Sequence, residues 1–551
     1  MTMRNPLIIL AAIVLCVVAP AALPAESRGS YVDAAAEFHL NGDGKTDNYA
    51  GFLAWAAHVK ANKGGKYWLR KPAVAYFIDR YKQVEGFNEK VANGNEDVIF
   101  SDFDGLTIIG DEATISVTGK FHRSADEVVN GLKYSHRWHL CPLSFDGGRN
   151  LRLEGLIVRG NVQDTTRDEG VMEWRGHGIT IRGTEHVRLE NVWVDGFSVD
   201  GIYIDGRFSH VDEKGRSVDR SAKYLVFNNV RSTRNGRQGM SIINACFGVF
   251  NGCEFSQTGK TGNYGFHAPA AGMDIEPHYG PLGDNQGNTT HVADEWNGFF
   301  TFNACRFFDN RGGAAFVTST SLTKNVAFNA CKFEDDRESP GGGYFLTASC
   351  QSTSFNQCEF VAYAPNSISP DGVGLVQDKT GVLMGHVRNM RTTFRDCDFR
   401  GPTMISLTET LPFEKSVLRK VVIDGCRFTY VPAAPAAPKY EVRPFVMGLS
   451  NYLEFTNNYV FIPAAALNPD VRETVKVKFH GNNWKDQPGW AGRVANNVYA
   501  ADIDASKSDK FFFNQYPPAS QGKVAGERFV GSYHPTSSPT FTNGTEYTNQ
   551  P

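Results

Sequence analysis

A short alternating pattern recurs along this 551-residue chain: a polar residue, any residue, Cys or an aliphatic, any residue, then Phe or another apolar residue. It reads Asn251-Gly-Cys253-Glu-Phe255, Asn303-Ala-Cys305-Arg-Phe307, Asn329-Ala-Cys331-Lys-Phe333 and Asn356-Gln-Cys358-Glu-Phe360. It continues as Arg395-Asp-Cys397-Asp-Phe399 and Asp424-Gly-Cys426-Arg-Phe428, while Leu156, Val192, Val230 and Asn458 fill the central slot in weaker copies. Successive centres lie roughly 23 to 52 residues apart. Alternation with a period of two predicts β-strand. A five-residue strand repeated at such intervals cannot bury its own apolar face, but coils stacked on one another bury a continuous core. Parallel stacking brings equivalent residues to ~4.8 Å, so the central slot becomes an internal ladder. Cys is among the most buried residue types and packs as a small apolar side chain. The ladder is therefore read as packing; a disulfide within it is possible and is not required.

A second strand recurs as Gly, apolar, any, Ile: Gly178-Ile-Thr-Ile181, Gly201-Ile-Tyr-Ile204, Gly239-Met-Ser-Ile242 and Gly272-Met-Asp-Ile275. Two strands per coil define the expected fold, an all-β right-handed parallel β-helix. Its start carries a cap. The turn-rich Asn41–Asp47 precedes an amphipathic run with Phe52, Leu53, Ala56, Ala57 and Val59 apolar, which predicts a helix over the first coil. Such a helix shields the open edge of the stack. Gly64–Leu69 and Tyr76–Ile78 are the first expected strands.

The N-terminus reads as a secretory signal: Arg4, an apolar core from Leu7 to Ala19, and small residues up to Ala25. The expected organisation is a signal peptide over 1–25, the β-helix over 26–500 and a polar, Pro-rich tail over 501–551 packed on the helix. The mature chain is expected to be secreted or periplasmic, without a membrane span, and monomeric or homotrimeric. The formal net charge of −3 provides no basic patch, so nucleic acid is not an expected partner. No Gly-x-x-x-x-Gly-Lys-Ser/Thr, Cys-x-x-Cys or His-Glu-x-x-His motif occurs, which argues against nucleotide and zinc chemistry.

Insertions at 121–140, 161–177, 205–222 and 277–297 predict long loops beside the same few coils, the usual construction of a binding groove. Their aromatics and cations, Trp174 and His278 among them, suit stacking on sugar rings and pairing with uronate carboxylates. Aligning the second strands by their glycines places Thr180 and Arg182, Tyr203 and Asp205, Ser241 and Ile243, and Asp274 and Glu276 on the outer face. His177, Asp200 and Gln238 stand immediately before the glycines, with Arg237 beside Gln238. Glycoside hydrolysis uses two carboxyls, one protonated, ~6.5–9.5 Å apart where a water must fit. Asp205 and Glu276 are expected two coils apart, and Asp274 and Glu276 at i, i+2, ~7 Å apart. Asp200, Asp205, Asp274 and Glu276 are thus the candidate acids, and Arg237, Gln238, Tyr203, His177, Arg182, Trp174 and His278 the candidate substrate contacts. Clustered Asp residues also suit Ca²⁺, and no other cofactor is expected.

The Asn41–Asp47 segment followed by a helix, Gly64-Gly65 and a strand resembles the N-terminal signature of the pectate lyase superfamily, whose members include lyases, glycoside hydrolases, epimerases and phage tailspikes. The resemblance spans residues 33 to about 500 in architecture and implies a fold more than a reaction. Two short segments resemble the polygalacturonase branch. Ser198-Val-Asp-Gly201 is similar to its Asn-Thr-Asp-Gly-x-Asp motif, with Tyr203 in place of the second Asp. Gly176-His177-Gly178 is similar to its Gly-His-Gly, but precedes the Asp-Gly segment instead of following it. Paired Gly-Asp-Asp and Arg-Ile-Lys are absent, so that branch's site does not transfer whole. The expected function is a polysaccharide-degrading glycoside hydrolase. The alternatives are a lyase or C5-epimerase on a uronic-acid polymer, with Arg237, Tyr203, His177 and Arg182 in the leading roles, and a non-catalytic glycan-binding β-helix.

Overall fold

A computed structural model describes residues 30–79, 98–117, 141–164, 176–260, 270–277, 290–295, 297–317, 323–334, 352–363, 389–401, 418–430, 452–462 and 491–501, with shorter strand segments between them and on to Val530. The chain is a right-handed parallel β-helix. One sheet system of 27 strands forms two adjoining walls, and a nine-stranded parallel sheet forms a third. The third wall, here the site sheet, runs Ile99–Ser101, Leu143–Asp146, Ile179–Arg182, Asp200–Asp205, Gln238–Ile242, Ala271–Ile275, Gly313–Val317, Leu346–Ala348 and Ile368–Ser369. Farther along, Thr403–Leu407, Arg443–Met447, Val475–Lys478 and Phe512–Gln515 form a separate four-stranded parallel sheet.

The repeat sets the register. Phe250, Phe302, Phe328 and Phe355 face one another coil upon coil, as do Phe255, Phe307, Phe333, Phe360 and Phe399. Stacked rings lie 5.0 Å apart at Phe328–Phe355 and at Phe333–Phe360, the spacing that parallel strands impose. A one-residue slip would turn every Phe outward. The polar residue that opens each copy makes a ladder of its own: Asn251, Asn303, Asn329 and Asn356 each donate Nδ2 to Oδ1 of the Asn one coil earlier, at 2.8–2.9 Å.

Cys253, Cys305, Cys331, Cys358, Cys397 and Cys426 are all buried and all free. Their thiols sit against backbone carbonyls, as Cys331 Sγ does 3.3 Å from the Phe302 oxygen. They are small core side chains, as the alternation predicted. Beyond Cys426 the slot changes chemistry. Asn458 donates to Asn497 Oδ1 at 3.0 Å and to the Ile423 carbonyl at 3.1 Å, so a buried amide ladder continues the thiol ladder.

The cap is a helix at Tyr49–Ala61. Phe52, Trp55, Ala56 and Val59 are buried, whereas Leu53 is exposed. The inward face therefore follows i, i+3, i+4, i+7 and includes Trp55, whose ring meets Phe100 edge-on at 5.4 Å. Asp43 organises the preceding turn by accepting from the Lys45 and Thr46 backbone N–H groups, both at 2.8 Å. These donors, with the Thr46 hydroxyl, hold its carboxyl below the usual range. Strands at Gly65–Leu69 and Tyr76–Ile78 match the expected first strands.

The stack does not end near residue 500. Lys523–Ala525 pairs in parallel with Arg493–Ala495, and Arg528–Val530 with Val498–Ala500. The strands Lys523–Ala525 and Arg528–Val530 thus add to the 27-stranded sheet beyond residue 501, within the stretch expected to pack on the helix as a tail. Three- and four-residue strands within polar, Pro-containing sequence are too short to show a period. Residues 1–29, with the expected signal segment, lie outside the described residues. No helix among the described residues is long and apolar enough to cross a membrane.

Candidate active site

The glycine alignment is the register of the site sheet. Ile179, Ile202, Met240 and Met273 pair in series, as do Thr180, Tyr203, Ser241 and Asp274. The glycines before them mark where the sheet closes on the neighbouring wall. A Cβ on Gly201 would lie 2.0 Å from Ser232 Oγ and 2.6 Å from Asn235 Nδ2, so only glycine passes there. The Ile and Met side chains enter the core, and alternation sends Thr180, Tyr203, Ser241 and Asp274 to the outer face.

Asp200 and Gln238 are paired in register, and both are fully buried. Ser241 Oγ donates to Asp200 Oδ2 at 3.0 Å. His177 Nδ1 and an Arg237 terminal nitrogen each lie 3.5 Å from the same oxygen. One coil on, Gln238 Nε2 donates to Asp274 Oδ2 at 2.8 Å. The His177 ring stacks on Tyr203 with centroids 4.4 Å apart, and the Tyr203 hydroxyl donates to Asp205 Oδ2 at 3.0 Å. The other Asp205 oxygen takes the Gly206 N–H at 2.7 Å. Arg182 and Asp205 are register partners. Glu276 follows Ile275 two coils from Asp205, with Ile243 at the intervening level. The structure thus gathers His177, Arg182, Asp200, Tyr203, Asp205, Arg237, Gln238, Asp274 and Glu276 on the outer side of four successive coils. Trp174 and His278 lie outside the described residues.

Burial assigns different work to the carboxylates. A buried charge is costly unless paired and hydrogen-bonded. Asp200 is fully buried among a hydroxyl, an imidazole and a guanidinium, so it holds those groups in place. Asp205 and Glu276 are partly exposed and can meet a ligand. No three His, Cys, Asp or Glu side chains among the described residues converge in a way that could hold a metal ion.

The 205–222 insertion is a hairpin, Arg207–Val211 paired antiparallel with Ser217–Arg220. Of its acids, sequence reasoning singled out only Asp205, at its start, yet it brings a second to the site. Asp219 is 8% exposed, and its Cβ lies 3.0 Å from where a Cβ on Gly206 would stand. Burial, then the neighbouring Asp205 and Asp294, push its carboxyl up to about 7, against a smaller opposing pull from Arg182. No repeat in the sequence marks it: the insertion's apolar residues Phe208, Val211 and Val218 follow no regular spacing. Arg207 anchors the same base of the hairpin, donating to Asp102 Oδ1 at 2.8 Å and lying 3.2 Å from Asp146 Oδ1. Arg207 in turn holds Asp102 below the usual carboxylate range.

No protein-family model matches this sequence, and no curated protein matches it. Solved structures resemble it in fold. The bacteriophage phi29 gene product 12 N-terminal fragment is 11% identical with a TM-score of 0.44, over 91% of this chain and 66% of that one. A tailspike mutant of E. coli bacteriophage HK620, in complex with a pentasaccharide, is 9% identical with a TM-score of 0.44, over 94% and 78%. The A-module of an Azotobacter vinelandii mannuronan C-5 epimerase is 11% identical with a TM-score of 0.37, over 90% and 99%. The chain therefore spans just under two thirds of the phi29 fragment. At these identities the likeness is one of fold alone.

Proposed function

We propose that this protein is an exported polysaccharide-cleaving enzyme, a glycoside hydrolase that works with paired carboxyls on the outer face of the site sheet. One observation carries the reading: acids, cations, an imidazole and a phenol are concentrated on four successive coils, with Asp200, Gln238 and Asp274 buried among them. An ordinary solenoid surface gains nothing from burying carboxylates, whereas a site that must position charge does. The part-exposed Arg182, Tyr203, Asp205 and Glu276 are spread along these coils, as an extended polymer lying along the helix axis would need. Asp205 and Glu276, two coils apart and partly exposed, supply the carboxylates that can face a glycosidic bond. Arg182 and Arg237 suit acidic or hydroxyl-rich sugars.

A second reading, lyase or C5-epimerase, draws on the His177–Tyr203 stack with Asp200 and Arg237 beside it. That set offers a base and a cation for removing a proton next to a uronate carboxylate. A polysaccharide screen with two readouts on each tube separates the readings. Reducing ends without ultraviolet absorbance of an unsaturated uronide mean hydrolysis. Both signals together mean a lyase and shift the chemistry to His177 and Tyr203. Neither signal on any polymer would overturn both cleaving readings and leave only the epimerase, whose product carries neither mark.

A further inference from the structure

Three carboxyls are neighbours where the site sheet joins its hairpin, without converging on one point: Asp219, and Asp205 and Asp294, which both act on its charge. Two have donors. Asp205 accepts from Tyr203 and from the Gly206 N–H. Asp294 accepts from the Ser221 backbone and hydroxyl, both at 2.9 Å, and from Lys223 Nζ at 3.1 Å. Asp219, more than nine-tenths buried, has no donor to its carboxyl among the described residues. Its backbone carbonyl accepts from the Asp294 N–H at 3.0 Å. Its strand pairs on both sides, Asp219 with Phe208 across the hairpin and with Ala293 on the next strand, so its place is fixed. On the other side of Gly206 stands Asn244, whose buried Nδ2 has no hydrogen-bond partner and would lie 2.5 Å from a Gly206 Cβ. A carboxyl without a donor and an amide without an acceptor thus flank the residue after Asp205. Buried polar groups left open in this way call for an explanation, and a bound ligand is one.

We propose that Asp219 is the acid of this site, giving its proton to the departing glycosidic oxygen, with Asp205 as its carboxylate partner. This rests on the glycan-cleaving reading above. The bond between the anomeric carbon and the glycosidic oxygen breaks with its electron pair on oxygen, which takes the Asp219 proton. A water oxygen forms the new bond to the anomeric carbon, and its released proton passes to Asp205. Solvent then takes that proton from Asp205 and reprotonates Asp219, so the net change is addition of one water. Burial and the two neighbouring acids hold Asp219 protonated up to about pH 7, which fits an acid of this kind. The hairpin, anchored at its base by Arg207 and paired along Ser217–Asp219 with the next strand, gives the carboxyl the rigid support that such a group needs.

The test uses the full chain, the polymer found in the screen and a nitrophenyl glycoside of the same sugar, whose leaving group needs no proton. Asp219→Asn is expected to lower kcat on the polymer ~10²–10⁴-fold with little change in KM. It should largely spare the nitrophenyl substrate and abolish the alkaline limb of the pH profile, which in the wild type falls near 7. Asp219→Glu should recover part of the polymer rate. Equal loss on both substrates would make Asp219 a structural residue and overturn the assignment. Full polymer activity in Asp219→Asn would overturn it as well, while leaving the glycan-cleaving reading intact. A wild type that cleaves no polysaccharide would overturn both together.

Discussion

Two walls of the same coils follow opposite rules. The wall that carries the repeat places the same residue at each level: Asn over Asn, Cys over Cys, Phe over Phe. The site sheet places the same residue at successive levels only on its inner side, where Ile179, Ile202, Met240 and Met273 follow one another. Its outer column reads Thr180, Tyr203, Ser241, Asp274 and repeats nothing. Identical neighbours stack well at 4.8 Å because each ring or amide meets its own shape and hydrogen-bonding complement. Chemistry needs unlike groups side by side, so the column that varies is the one that can react. A third column shows how far selection of side chain can depart from backbone demand. His186, Tyr224, Phe247 and Phe299 all adopt positive φ and stack in sequence, with centroids 4.7, 5.4 and 5.2 Å apart. At another corner the same left-handed backbone is met by Asn191 and Asn229, a residue type suited to it, and by Ala304 and Ala330.

The contrast can be broken at several points. The largest expected effect is on turnover: Asp205→Asn should reduce polymer cleavage ~10²–10⁴-fold, with the melting temperature nearly unchanged, as read by reducing-end assay and calorimetry. A large drop in melting temperature would instead make Asp205 part of the scaffold. The opposite pattern is expected for Phe333→Ala, which removes a ring stacked between Phe307 and Phe360. It should cost about 3–5 kcal/mol in denaturant unfolding, with activity per folded molecule retained.

Asp219 belongs to both accounts, and pH separates them. Its folded-state carboxyl is raised to about 7, whereas an unfolded Asp releases its proton near ~3.9. Between those values the unfolded chain has lost the proton and the folded chain keeps it, so the wild type loses stability as pH rises through that window and levels off above it. Asp219→Asn should remove this slope and stabilise the protein at pH 8 by about 4 kcal/mol. Parallel pH–stability curves for the two proteins would show that Asp219 does not hold the proton. The smallest effect is expected at Cys331→Ala, about 1 kcal/mol, with no change on adding a reductant to the wild type. Destabilisation of the wild type by reductant would mean that the ladder contains a disulfide.

Much of the site was legible because register in a parallel coil is a matter of counting. Aligning Gly178, Gly201, Gly239 and Gly272 in sequence placed Tyr203, Ser241 and Asp274 in one column, and the pairing is the same in the folded chain. The glycines were visible since each coil closes there against its neighbour, leaving no room for a Cβ. Burial was not legible. Asp200 and Glu276 look alike in the sequence, yet one is sealed among His177, Arg237 and Ser241 while the other stays partly open. Asp219 was missed because insertions have no period to count.

The sequence alone determined the stack, its two strand types, the cap and the column order, because each follows from a local pattern repeated at every level. Only the tertiary structure decided which acid is held by donors and which lacks one. Those properties depend on what the hairpin and Asp294 bring from outside the coil, through contacts between residues as much as 105 positions apart, as between Arg207 and Asp102, or 75 apart, as between Asp219 and Asp294. Local patterns report the backbone's own periodicity, while the protonation of a carboxyl is set by everything packed around it.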